Sequence, residues 1–147
     1  MNTQSIREAI ATRLQQMCGI NAYPFDVAST VYPRAIVLPA SPAVEYHSSF
    51  GRGLSVLLFD IEVRTVATDP VSAQVALSKF VDAGTGESSS VIDALELVST
   101  GALAPNLDGA VENIMVESVQ IAPGQQLTEG PVEFTATFRV QVLSRRA

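Results

Sequence analysis

Apolar and polar positions alternate most cleanly near the C-terminal end of the chain. Val132, Phe134, Ala136, Phe138, Val140 and Val142 fall on one face of an extended segment, and Glu133, Thr135, Thr137, Arg139 and Gln141 on the other. A period of two predicts a strand with one face on a core and the other on water or a polar contact. Residues 54–67, LSVLLFDIEVRTVA, follow the same rule for most of their length. Leu57, Phe59, Ile61 and Val63 face one way, and Asp60, Glu62 and Arg64 the other. Val56 and Leu58 break the rule, being apolar on the polar side next to the FGRG turn at 50–53. Residues 111–122, VENIMVESVQIA, do not alternate cleanly, since Met115 and Val119 oppose Ile114 and Val116. A bulge or burial on both faces would account for that.

Elsewhere the period lengthens. SIREAIATRLQQMCG, residues 5–19, predicts a helix with Ile6, Ile10, Leu14 and Met17 on one stripe and Arg7, Arg13 and Gln16 off it. Ser5 and Glu8 have capping-box spacing, and Gly19 is a plausible stop. DPVSAQVALSKFVD, residues 69–82, predicts a second helix capped by Asp69, with Pro70 at its first position and Ala73, Leu77, Phe80 and Val81 facing inward. SSSVIDALELV predicts a third, shorter one, with Ser90 as cap, Asp93 three residues on, and Val91, Ile92, Leu95 and Val98 inward.

NAYPFDVA and RAIVLPA read as short, edge or bent strands because of Pro24, Pro33, Pro39 and Pro42. PAVEYHSS and LSVLLFDIEVRTVA, on either side of FGRG, predict a β-hairpin. PGQQLTEG, residues 123–130, reads as the turn before the last strand. The order gives an α+β fold, a mainly antiparallel sheet with helices packed on one face. Residues 1–147 read as one domain, with no repeat or linker.

Composition sharpens this. Apolar residues make up 47% of the 147 positions and charged residues 16%, against roughly 25% in ordinary soluble domains. With so few charges to cover a surface, part of that surface is expected to be buried in an assembly. The net charge is −6, which excludes binding nucleic acid by phosphate neutralisation. One cysteine, Cys18, permits no intrachain disulfide and fits a reducing compartment, as a small buried residue at a helix end. No apolar run is long enough for a membrane helix, and the N-terminal residues do not read as a signal peptide.

No catalytic or cofactor motif appears. One His and one Cys do not make a zinc site. FGRG lies between strands, and DAGTGESSS lies between helices with no lysine after its glycine, so neither makes a phosphate loop. PNLDGAVEN lacks the ligand spacing of a calcium loop and reads as a turn. Asp60 and Glu62, about 7 Å apart along a strand, could be a carboxylate pair, but Arg64 on the same face makes an ion-paired surface the simpler account. The expected site is a contact surface instead. At the hairpin tip, Gly51 and Gly53 permit tight backbone geometry, and Arg52 offers a fork of donors to a partner. His47, Phe50, Arg52, Val56 and Leu58 together form the expected oligomer or partner interface.

The segments IREAIATRLQQ, VEYHSSFGRGLSVLLFDIEVRTVATDPVSAQVALSKFVDAGTGESSSVIDALE and FTATFRVQVL resemble the tail terminator proteins of long-tailed phages, with the nearest likeness to those of actinobacterial phages. The resemblance spans most of the chain and rests on the order of elements with the FGRG and SSSVIDALE signatures. It implies a structural virion protein, without enzymatic activity or cofactor. Such a protein forms a homo-hexameric ring at the head-proximal end of the tail, stops growth of the tube, and contacts the major tail tube protein and the head-tail connector protein. DNA passes through the lumen without specific binding, and a negative wall suits that. A head-tail connector adaptor or stopper is the near alternative. A small ligand-binding or hydrolytic domain using Glu45, His47 and Arg52 is the alternative from another class.

Overall fold

The computed structural model describes residues 3–25, 32–45, 54–82, 90–96, 113–126 and 131–145. Along the chain the elements are α1 (Thr3–Cys18), β1 (Asn21–Tyr23), β2 (Arg34–Glu45), β3 (Leu54–Ala67), α2 (Pro70–Val81), α3 (Val91–Glu96), β4 (Asn113–Gln126) and β5 (Val132–Arg145). The five strands form one sheet in the order β1-β2-β3-β5-β4. All its pairings are antiparallel except β1 with β2, where Asn21 to Tyr23 run parallel to Arg34 to Ile36.

The two strands with the cleanest alternation occupy the centre. β3 and β5 pair without a register break from Leu54↔Arg145 to Ala67↔Val132. Ile61 lies opposite Phe138, and Phe59 opposite Val140, so the apolar faces read from the sequence coincide on one side of the sheet. Leu57, Phe59, Ile61 and Val63 join Phe134, Ala136, Phe138, Val140 and Val142 in a single buried cluster.

All three helices pack on that face. Ile6, Ile10 and Leu14 of α1, Ala73, Leu77 and Phe80 of α2, and Val91 and Leu95 of α3 belong to the same cluster. The expected fold, helices on one face of a mainly antiparallel sheet, is the observed one. α1 ends at Gly19, whose φ of +64° is the left-handed conformation of a helix stop. Asp69 caps α2, its carboxylate accepting from the backbone N–H of Ser72 at 2.8 Å, with Pro70 at the first position.

Several boundaries differ from expectation. α1 begins at Thr3, so Ser5 lies inside the helix and the Ser5/Glu8 pair is not its cap. Glu8 instead accepts from the Gln4 side chain at 3.0 Å, one turn away. RAIVLPA and PAVEYHSS are not separate strands, because residues 34–45 form one strand, with a register shift between Pro39 and Val44. Pro39 and Pro42 lack an N–H for the ladder, so the strand slips there without ending. PGQQ is likewise not turn. β4 runs to Gln126 through a second register shift between Ala122 and Gln125. Residues 46–53, 83–89 and 105–112, with the FGRG, GTG and PNLDGAVE signatures, lie outside the described residues, as does Val98.

The irregular pattern of β4 is resolved by a bulge. The register shifts between Val116 and Ser118. Ile114 and Val116 lie opposite Val142 and Val140, whereas beyond the shift Val119 and Ile121 lie opposite Phe138 and Ala136. One extra residue thus flips the parity and returns Val119 and Ile121 to the helix side of the sheet. Met115 stays on the other face.

Phe59 and Phe138 are fully buried at the centre of this core. Phe138→Ala or Phe59→Ala is expected to cost about 3–5 kcal/mol of folding stability. Urea unfolding of each variant checks this: the midpoint should fall while the slope stays as in the parent protein.

Candidate assembly surfaces

Polar side chains on the sheet face opposite the helices are tied together. Arg34 lies directly opposite Arg64 across β2 and β3. Like charges in that position repel, and flanking groups must compensate. Arg64 reaches Glu133 Oε1 at 3.4 Å and Glu62 Oε2 at 3.2 Å. The Tyr32 hydroxyl donates to Glu133 Oε2 at 2.7 Å. The Arg34 guanidinium lies 5.3 Å from the centre of the Tyr32 ring. Arg34 and Glu133 are buried. The Glu62 carboxylate is thus committed to Arg64, and the ion-paired account of Asp60, Glu62 and Arg64 describes this face better than a free carboxylate pair.

Two arginines of α1 that the apolar stripe leaves out are tied to the rest of the fold. Arg7 donates twice to the Val37 carbonyl, from Nε at 3.2 Å and Nη2 at 2.9 Å. Val37 is the first β2 residue beyond the last pair with β1, Tyr23↔Ile36, so the guanidinium serves an edge carbonyl that β1 is too short to reach. It also lies 4.5 Å from the centre of the Phe25 ring. Burial pulls the Arg7 guanidinium below its ordinary value. Arg13 is buried, and its Nη1 donates to the Ala94 carbonyl at 3.4 Å, joining α1 to α3.

The interface residues expected from the sequence divide into two groups. His47, Phe50 and Arg52 lie outside the described residues. Val56 and Leu58 are 1% and 5% exposed, in a small cluster with Ala40 and flanked by Leu143. They therefore form no exposed apolar patch on the subunit. Ala40 of β2 and Leu143 of β5, from the strands on either side, pack against them.

Sequence reasoning missed a different apolar surface. Val71 is 69% exposed, Val75 56% and Ile121 57%. With Gln74, Ser78 and Asp82 they line a groove of about 460 Å³ between α2 and β4. The helix layer stops short of the outer strand there, and the bulge turns Ile121 towards the helix side. Beyond Ile121 lies the outer edge of β4, which among the described residues pairs with β5 alone. A signal was present in the sequence. Val71 and Val75 lie off the buried stripe of Ala73, Leu77 and Phe80, and a helix apolar on two faces has more than one surface to cover. Among the described residues, Asp82 is the one charged residue that lines the groove, and its carboxylate has no partner there. Lys79 does not line it.

Among the described residues, no group of three or more His, Cys, Asp or Glu is placed to hold a metal, and no helix is long and apolar enough to cross a membrane. Cys18 is buried, with its thiol 3.6 Å from the Ser90 carbonyl.

No protein-family model matches the chain. No curated protein matches it either. Among solved structures, a chain described as "Virion of native gene transfer agent (GTA) particle" is similar over 95% of this chain and 95% of its own, at 17% sequence identity and a TM-score of 0.49. A likeness that loose carries no argument about function, so the surface must be judged on its own residues.

The Tyr32–Glu133 bond has a pH signature. The hydrogen bond to Glu133 raises the Tyr32 hydroxyl above its ordinary value, helped by burial and the Glu133 charge. A raised value means that the folded state holds the proton more tightly. The stabilisation is complete below the unfolded value near 10 and is lost as pH rises through the folded one. Thermal melts between neutral and strongly alkaline pH should therefore fall more steeply for the parent protein than for Tyr32→Phe.

Proposed function

We propose that this protein is a structural subunit of a phage-like virion, a tail terminator that forms a ring on the head-proximal end of the tail tube. The observation that carries the proposal is the surface at the outer edge of the sheet. Among the described residues, the fourteen-residue strand β4 has a partner on one side only, and an apolar groove lies beside it. An open strand edge next to exposed valine and isoleucine is a liability in a solitary protein and a contact surface in an assembly. The low charged share of the chain, 16%, points the same way. The resemblance of the FGRG and SSSVIDALE segments to tail terminators names the assembly.

In this function the subunit binds further copies of itself through contacts that close into a ring, which for a rotationally symmetric ring must be heterologous. The β2–β3 hairpin, with His47, Phe50 and Arg52, supplies one side of that contact. Buried Val56 and Leu58 hold the base of the hairpin in place and do not touch the neighbour. The flat faces of the ring meet the major tail tube protein and the head-tail connector. The acidic balance, a net −6 per copy, keeps DNA from adhering as it passes.

Immuno-electron microscopy of purified particles should find the protein at the tail side of the head-tail joint. Its absence from purified particles would sink the proposal, and a position on the head side would make it a connector component. Arg52→Ala should lower the fraction of tails that carry the protein and leave the melting temperature of the isolated subunit unchanged. A fall of several degrees in that temperature would make Arg52 a folding residue and remove it from the interface.

A further inference from the structure

We propose that the groove between α2 and β4 is the socket for residues 46–53 of a second copy, with Phe50 seated among Val71, Val75 and Ile121 and Arg52 paired to Asp82. The proposal rests on the hairpin contact in the ring and names the surface that the hairpin meets.

Charge selects the occupant. Residues 46–53, YHSSFGRG, contain one arginine, one histidine and no acid, in a chain of net charge −6. Copies of an acidic protein repel one another overall, so a cationic segment is where one can approach another. The groove offers the complement, an apolar lining with the carboxylate of Asp82 beside it, unpartnered among the described residues. An aromatic side chain flanked by an arginine is also the anchor chemistry that small apolar sockets at interfaces accept.

Geometry excludes the chain's own hairpin. The described strands end at Glu45 and resume at Leu54, at one end of the sheet. Ile121 is level with Ala136, and Ala136 with Val63. From Leu54 to Val63 is nine strand steps, about 30 Å along the sheet. Eight residues that leave and return to neighbouring strands reach out by about four residues, roughly 13 Å. The segment cannot fold back into its own groove. Donor and socket are therefore different surfaces of the subunit, as the heterologous contacts of a closing ring require.

Disulfide trapping tests the contact. A chain carrying Phe50→Cys and Val75→Cys should form a ladder of intermolecular disulfide multimers under mild oxidation. A chain carrying Phe50→Cys and Gln120→Cys, with the second thiol on the opposite face of the sheet, should not. No ladder from the first pair, or an equal ladder from both, would overturn the proposal. The charge pair gives an independent readout by sedimentation of the isolated chain. Arg52→Asp and Asp82→Arg should each weaken self-association about tenfold, and the double variant should restore it. Single variants that associate like the parent, or a double variant weaker than either, would exclude the Arg52–Asp82 pairing. A ladder from a protein absent from phage particles would sink the terminator function and leave the socket standing. A protein found on tails that gives no ladder would do the reverse.

Discussion

The fold depends on the pairing of β3 with β5. Fourteen residue pairs align from Leu54↔Arg145 to Ala67↔Val132 without a slip. Because side chains alternate, a slip of one residue would send Phe59, Ile61 and Val63 to the face opposite Phe134, Phe138 and Val142. The unbroken register decides that the sheet has one apolar face. One apolar face then decides that three helices pack on the same side, and that charged residues collect on the other. Arg34, Glu62, Arg64 and Glu133 do not meet by a design of their own. They share the side that the core leaves over, and Tyr32 covers part of it.

The outer strands are not bound so tightly, and both bend the rule. β2 slips between Pro39 and Val44, β4 slips twice, and two of these departures decide where an apolar residue lies. Ala40 packs against Val56 and Leu58. Ile121 turns to the helix side and becomes a wall of the groove. The regular centre supplies stability, and the irregular margins determine what the surface offers.

Local pattern made much of this legible. The extent of β3 follows from its alternation and the FGRG turn before it, and Asp69 with Pro70 marks the start of α2 because their roles depend only on the residues that follow. What could not be read depended on distant partners. Val56 and Leu58 look like an exposed patch until Ala40 and Leu143 arrive from other strands. Arg13 lies off the apolar stripe of α1, and only the arrival of α3 beneath it makes it a buried donor to Ala94. The groove was hidden for a related reason. Val71 and Val75 gave a faint signal, but Ile121 joins them only because of one inserted residue in β4.

That inserted residue also gives the sheet edge a sense of direction. Before the bulge, β4 carries exposed Met115 on the charged side of the sheet. After it, exposed Ile121 lies on the helix side. The two ends of the edge are therefore unlike, and so are its two sides. A regular strand would carry both residues on a single side and would accept a neighbour in more than one orientation. This edge can tell a neighbour set upright from one set upside down, so any contact made along it has a fixed polarity.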